Sequence, residues 1–167
     1  FMPLLEKNGF LPDLDAIPED IAKRAKIIFV NYPNNPTAAI APKEFYVKLI
    51  KFAKKYNIIV AHDSAYSEIY YDENEKPMSF LEIEGAKDIT VEFHSFSKPY
   101  SATGWRIGWV CGNKEVVSQF AKLKSTIDSG IFKAIQLSCA KILNTQEGDE
   151  YIVWANNEIK KKSDYFT

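Results

Sequence analysis

The sequence predicts an α/β fold, an α-β-α sandwich around a mostly parallel sheet with one antiparallel strand. Two continuous apolar runs, Ile27–Val30 and Ile58–Ala61, are too short for helices and suit strands buried on both faces. A stretch with helical periodicity separates them, and strand–helix–strand order pairs the strands in parallel. A third observation sets the exception. The gap from Phe93 to Ile107 is too short for a helical crossover of about a dozen residues plus its turns, so the fourth strand either runs antiparallel to the third or is separated from it by a tight connection.

Each element has its own local reason. Residues 1–14 carry Pro3, Gly9 and Pro12 and read as irregular. Asp15 is placed to cap a short helix with Pro18, Glu19 and Asp20 in its first turn and Lys23, Arg24 and Lys26 at its end, in the order that the helix dipole favours. After the first strand, Asn31 to Thr37 is dense in turn residues and ends it. Pro42 opens a helix to about Tyr56, with Phe45, Leu49, Ile50, Phe52 and Ala53 along one side. The second strand ends at His62-Asp63. Residues 72–86 read as polar loop with a short apolar stretch at Met78–Leu81. Thr90–Phe93 is the third strand and Arg106–Cys111 the fourth. Helical runs follow at Glu115–Leu123, at Phe132–Leu143 after a break at Gly130, and at residues 149–166 after Gly148.

Composition narrows the class. The chain has 167 residues with a formal net charge of −1, enough for a real core and without the basic footprint of a nucleic-acid binder. The run Lys160-Lys161-Lys162 reads as the solvated side of a helix. Cys111 and Cys139 have neither metal-type spacing nor a disulfide framework, which points to buried thiols and a cytoplasmic setting. No apolar run approaches a membrane span. The sequence opens on Phe1 without an initiator Met and closes inside a helical pattern, as expected of a piece of a longer polypeptide.

Chemistry collects at the strand ends, where open parallel sheets bind ligands. Asn35 follows the first strand, Asp63 and Tyr66 the second, and Ser95, Ser97 and Lys98 the third, with Arg106 eight positions beyond Lys98. Each has an ordinary structural explanation alone: turn residue, helix cap, core aromatic, surface cation. Together they match one chemistry. A buried carboxylate such as Asp63 keeps a pyridine nitrogen protonated, and Tyr66 and Asn35 supply donors to a ring oxygen. Ser95, Ser97 and Arg106 offer hydroxyls and a guanidinium fork to a phosphate. Lys98 offers an amine to an aldehyde.

Those motifs make the chain resemble a class I/II aminotransferase of the aspartate aminotransferase fold family. The family's Asn-Pro-Thr-Gly is similar to Asn35-Pro36-Thr37-Ala38, its Asp-x-x-Tyr to Asp63 and Tyr66, and its Ser-x-Ser-Lys to Ser95–Lys98. Its phosphate arginine falls on Arg106 within Gly104-Trp105-Arg106-Ile107-Gly108. Val91 to Ser95, Ser129 to Phe132 and Asn8 to Leu14 are most similar to LL-diaminopimelate aminotransferases. Ala38 departs from the family's glycine; if the backbone there takes a positive φ, alanine costs roughly 1 kcal/mol.

The resemblance implies a pyridoxal 5'-phosphate enzyme that moves an amino group from an amino acid to a 2-oxo acid. Lys98 would hold the cofactor as a Schiff base and act as the catalytic base. It implies that residues 1–148 are the central part of the large cofactor-binding domain and 149–167 a helix leading toward a small domain. It also implies a homodimer in the intact protein, with no nucleic-acid or membrane partner. The aromatic that stacks on the ring, the upstream phosphate loop and the arginine for the substrate α-carboxylate would lie outside this chain, leaving the chain alone inactive. Other readings remain open at this level: an aspartate or alanine aminotransferase, a lyase on the same fold, or an aminotransferase-like sensing module of a transcription regulator.

Overall fold

The computed structural model describes residues 1–166. Its centre is a four-stranded sheet in the order β1 (Ile27–Asn31), β2 (Ile59–Asp63), β3 (Thr90–Ser95) and β4 (Gly108–Gly112). The first two pairings are parallel and the last is antiparallel, the first of the two arrangements that the short connection before β4 allows. Helices α1 (Glu19–Arg24) and α2 (Lys43–Tyr56) flank β1, while α3 (Lys114–Ile127), α4 (Lys133–Ile142) and α5 (Gln146–Phe166) follow β4.

One face of the sheet is closed by α2. Ile28, Val30 and Val60 bury against Phe45, Tyr46, Leu49, Ile50 and Ala53, the apolar side that the helical periodicity marks out. Phe80 stacks on Tyr46 at 4.6 Å between ring centres and is fully buried, held by a one-turn helix whose Ser79 and Glu82 form a capping box. Asn57, in the left-handed conformation, ends α2.

The other face behaves differently. Successive strand side chains alternate, so Ile27 and Phe29 point away from α2, and Phe29 keeps 72 % of its surface exposed. The expectation that β1 is buried on both faces is therefore corrected: one side is core and the other is open in this chain. At β3 the same face meets α3, where Phe93 and Phe120 pack edge to face at 6.1 Å. Helices thus lie on both sides of the sheet.

Local differences have local causes. Asp15 does not cap α1. Its backbone N–H donates to the Asp13 carboxylate and its own carboxylate pairs with Lys48 at 2.6 Å, while Pro18 takes the cap position. Helix α5 begins at Gln146, so Gly148 lies inside it, buried against the carbonyl of Ile142 where a Cβ would approach to 2.0 Å. There glycine permits close packing and does not mark a break. Strand β4 starts two residues later than the sequence suggests, because Arg106 sits at φ 52° and still belongs to the turn. Cys139 is buried as expected, and Cys111 is only half-buried.

Candidate active site

The carboxyl ends of β1, β2 and β3 bring polar side chains to one edge of the sheet. Asn31 pairs with Asp63 in register, Asp63 with Phe93, and Ser95 with Gly108. By strand alternation, Asn31, Asp63 and Ser95 all project from the face opposite α2. Gly108 lets the β3–β4 pair close here, since a Cβ would stand 2.3 Å from the His94 carbonyl.

Beyond the strand ends the loops fold over this edge. The Asn35 amide donates to the Tyr66 hydroxyl at 3.1 Å, and the Lys98 amine lies 5.6 Å from the centre of the Tyr66 ring. Asn35, Tyr66 and Lys98, from three different connections, therefore form one cluster. On the connection after β3, the Ser95 hydroxyl accepts the Ser97 N–H at 3.0 Å. Thr103 donates its hydroxyl to the Ser97 carbonyl at 3.1 Å and accepts the Arg106 guanidinium on its own carbonyl at 2.9 Å. Ser95, Ser97 and Arg106 are thus tied together through Thr103, without direct contact between Arg106 and either serine among the described residues.

Asp63, Lys98 and Arg106 are exposed, and none makes an ion pair among the described residues. A carboxylate, an amine and a guanidinium held apart on one edge can engage three different groups of one ligand. The amine can condense with a carbonyl, the guanidinium and hydroxyls can hold an anion, and the carboxylate can hold a cationic N–H. The edge is shallow. Asp63 borders an apolar groove of about 880 Å³ floored by Ile27 and Phe29, whereas Ser95 borders a separate cavity of about 380 Å³.

Comparison with known proteins places the chain. The family model for aminotransferase class I and II matches residues 1–167. The chain belongs to the class I and II aminotransferases. It is 56 % identical over 164 residues to the LL-diaminopimelate aminotransferase of Nitratidesulfovibrio vulgaris (strain Miyazaki F), covering 98 % of this chain and 42 % of that protein. It is 58 % identical over 146 residues to the enzyme of the same name from Aquifex aeolicus, covering 87 % of this chain and 38 % of that one. Among solved structures, substrate-bound BacF from Bacillus subtilis superposes with a TM-score of 0.93 at 38 % identity, covering 99 % of this chain and 41 % of that one. A Thermus thermophilus aspartate aminotransferase mutant gives 0.87 at 29 % identity, with 98 % and 42 % covered. The chain thus spans about two fifths of the length of the relatives it matches.

Two groups of this aminotransferase chain escaped the sequence reading. Asn31, read only as a turn residue, donates to the Asp63 carbonyl and accepts the Asn35 N–H, both at 3.0 Å, bracing two candidate residues at once. Its place at the last position of a strand, pointing to the candidate edge, was the available signal. The second group lies on the opposite face. His62 and Glu92 are buried, with His62 Nδ1 3.0 Å from Glu92 Oε1 and His94 Nε2 3.1 Å from Glu92 Oε2. Ser79 and the Phe80 N–H also donate to that carboxylate, at 2.8 and 2.7 Å. Burial works against the ionised carboxylate, but the bonds from His62, His94 and Ser79 prevail and hold its pKa far below the usual range. Two histidines and a glutamate on the α2 face of adjoining strands were a signal that strand alternation could have revealed.

Proposed function

We propose that the full-length polypeptide carrying this chain is a pyridoxal-phosphate-dependent aminotransferase, moving an amino group from LL-diaminopimelate to a 2-oxo acid. The observation that carries the reading is the cluster at the sheet edge: the Lys98 amine against the Tyr66 ring, with the Tyr66 hydroxyl bonded to Asn35. An amine without a counter-ion among the described residues, beside a phenol–amide pair and with an unpaired carboxylate on the same edge, fits three groups this cofactor presents: its aldehyde, its ring oxygen and its ring nitrogen.

Each residue then has a task. Arg106 and the Ser95 and Ser97 hydroxyls bind the phosphate. Asp63 holds a proton on the ring nitrogen, and Asn35 and Tyr66 donate toward the ring oxygen. Lys98 Nζ would hold the cofactor at its aldehyde carbon, with loss of water, and when free as an amine would carry a proton from the substrate Cα to that carbon, a role worth about 10²–10⁴-fold. Bound pyridoxal phosphate supplies the electron sink that disperses the negative charge left at Cα. Asn31 keeps Asp63 and Asn35 at a fixed spacing.

The donor assignment draws support from relatives named LL-diaminopimelate aminotransferase at 50–58 % identity. The same reading makes residues 1–148 the central part of the large domain and 149–167 the helix leading toward a small domain. It also makes the intact protein a cytoplasmic homodimer.

The test uses the full-length protein. Borohydride reduction should abolish its yellow colour and leave the cofactor on Lys98, and Lys98→Ala should remove activity. LL-diaminopimelate should exceed aspartate and alanine as donor to 2-oxoglutarate. Failure to bind pyridoxal phosphate at saturation would sink the cofactor reading. Preference for aspartate or alanine would overturn only the donor, and elimination products without amino transfer would make it a lyase.

A further inference from the structure

The face of the sheet turned toward α2, away from the proposed cofactor edge, carries a second group of chemistry-bearing side chains. Glu92 and His94 are two apart on β3 and so share a face, and Cys111 lies directly across from Glu92 on β4. One ligand atom from each (a carboxylate oxygen, an imidazole nitrogen and the thiol sulfur) lies within 4.8 Å of the other two. We propose that Glu92, His94 and Cys111 form a binding site for a zinc-class divalent metal ion.

The donors suit that ion. One nitrogen, one sulfur and one oxygen ligand match a borderline-soft cation in tetrahedral geometry with a fourth position open. In the metal-free chain the carboxylate can only accept, so the His94 Nε2–H donates to Glu92 Oε2 across 3.1 Å. With metal–ligand bonds of about 2.0–2.1 Å, two tetrahedral ligand atoms stand roughly 3.3 Å apart, so a metal can replace that proton with little movement of either side chain.

The surroundings are already those of a ligand shell. Glu92 Oε1 is fixed by His62 and by the Phe80 N–H, and Oε2 also accepts from Ser79, so the carboxylate stays oriented when the His94 hydrogen bond is exchanged for a metal bond. Trp109 stacks on the His94 ring at 4.9 Å and fixes its plane. His94 and Trp109 also line the cavity of about 380 Å³ that Ser95 borders, so one of the three ligands meets open space.

Binding has a definite proton balance. The Cys111 thiol loses its proton to solvent and binds as thiolate. The neutral His94 ring exchanges its Nε2 proton for one on Nδ1 through solvent, so that the Nε2 lone pair faces the metal, and Glu92 binds already ionised, leaving the thiol proton as the one released. Affinity therefore rises with pH. The metal would clasp β3 to β4 on the side away from Ser95. The inference does not depend on the proposed reaction, since none of these three side chains belongs to the cofactor edge.

The test is titration of chelator-treated full-length protein with Co²⁺, then Zn²⁺. One Co²⁺ per chain should bind with the visible ligand-field bands of a tetrahedral site carrying a thiolate, at wavelengths beyond the cofactor's absorption, and Zn²⁺ should erase them. Cys111→Ser and His94→Gln, made separately, should each weaken binding by more than the roughly 10–100-fold that loss of an outer partner costs. Cys139→Ser should leave it unchanged. Absence of tetrahedral bands at saturating Co²⁺ in the unsubstituted protein overturns the proposal, as do bands that persist unweakened in both ligand variants.

Discussion

Ala38 sits at φ 59°, a conformation that glycine adopts freely and alanine does not. Ala38→Gly removes that strain but loosens the unfolded chain, and relief of the strain outweighs the added freedom of the unfolded state. The expected result is a gain of about 1 kcal/mol, read as a higher denaturant midpoint at unchanged slope. At Glu92 the effect runs the other way. Its folded pKa lies below the ordinary 4.5, so the stability it contributes is complete above that value and drains away as pH falls toward the folded one. Glu92→Gln should cost about 3 kcal/mol near neutrality and flatten the dependence of stability on pH below about pH 5, measured by denaturation across pH. An acid limb as steep as that of the unsubstituted protein would contradict this account. At this scale the sequence was informative for the candidate edge, where Asn35, Asp63, Tyr66, Ser95, Ser97 and Lys98 stand in short motifs. For Glu92 it held only the alternation that puts His94 on the same face, because a glutamate in a strand reads as solvent-facing until His62 is placed beside it in register.

The strands explain what local patterning could reveal. Apolar runs located β1 and β2 well, and connection length narrowed β4 to two arrangements, of which the antiparallel one is found. Burial on each face of β1 was not legible, because a run of four apolar residues looks the same whether one side or both are covered. The start of β4 was misplaced for a similar reason: Arg106 and Ile107 continue the apolar alternation, and only backbone geometry assigns Arg106 to the turn. Gly148 was misread because a glycine that ends a helix and one that admits a neighbouring carbonyl are identical in sequence. Gly108 is the element-scale prediction. A Cβ there would meet the His94 carbonyl, so Gly108→Ala must spread β3 from β4, costing roughly 1–3 kcal/mol and lowering cofactor affinity through displacement of Ser95. Thermal denaturation and cofactor titration of the full-length variant would check both parts, and unchanged values would refute the close-approach argument.

Over the whole molecule, the α2 side of the sheet is packed while Phe29, Ile127 and Phe132 each keep about 70 % of their surface exposed. Apolar exposure on this scale marks contact surface. The isolated chain should therefore bind a hydrophobic dye strongly and turn over no amino donor. The full-length protein should do the reverse, and transamination by the isolated chain would overturn this. The pairing register of β3 also limits how this region can vary. Its odd and even positions serve opposite masters: Ser95 faces the candidate edge, while Glu92 and His94 face the buried histidine and α2. A one-residue deletion within β3 would exchange the two sets, turning a carboxylate and an imidazole outward and a hydroxyl inward. Length changes within this strand are thus tolerable only in pairs. Drift by single insertions belongs to the polar segment between β2 and β3, where no side chain is committed to a face by strand pairing.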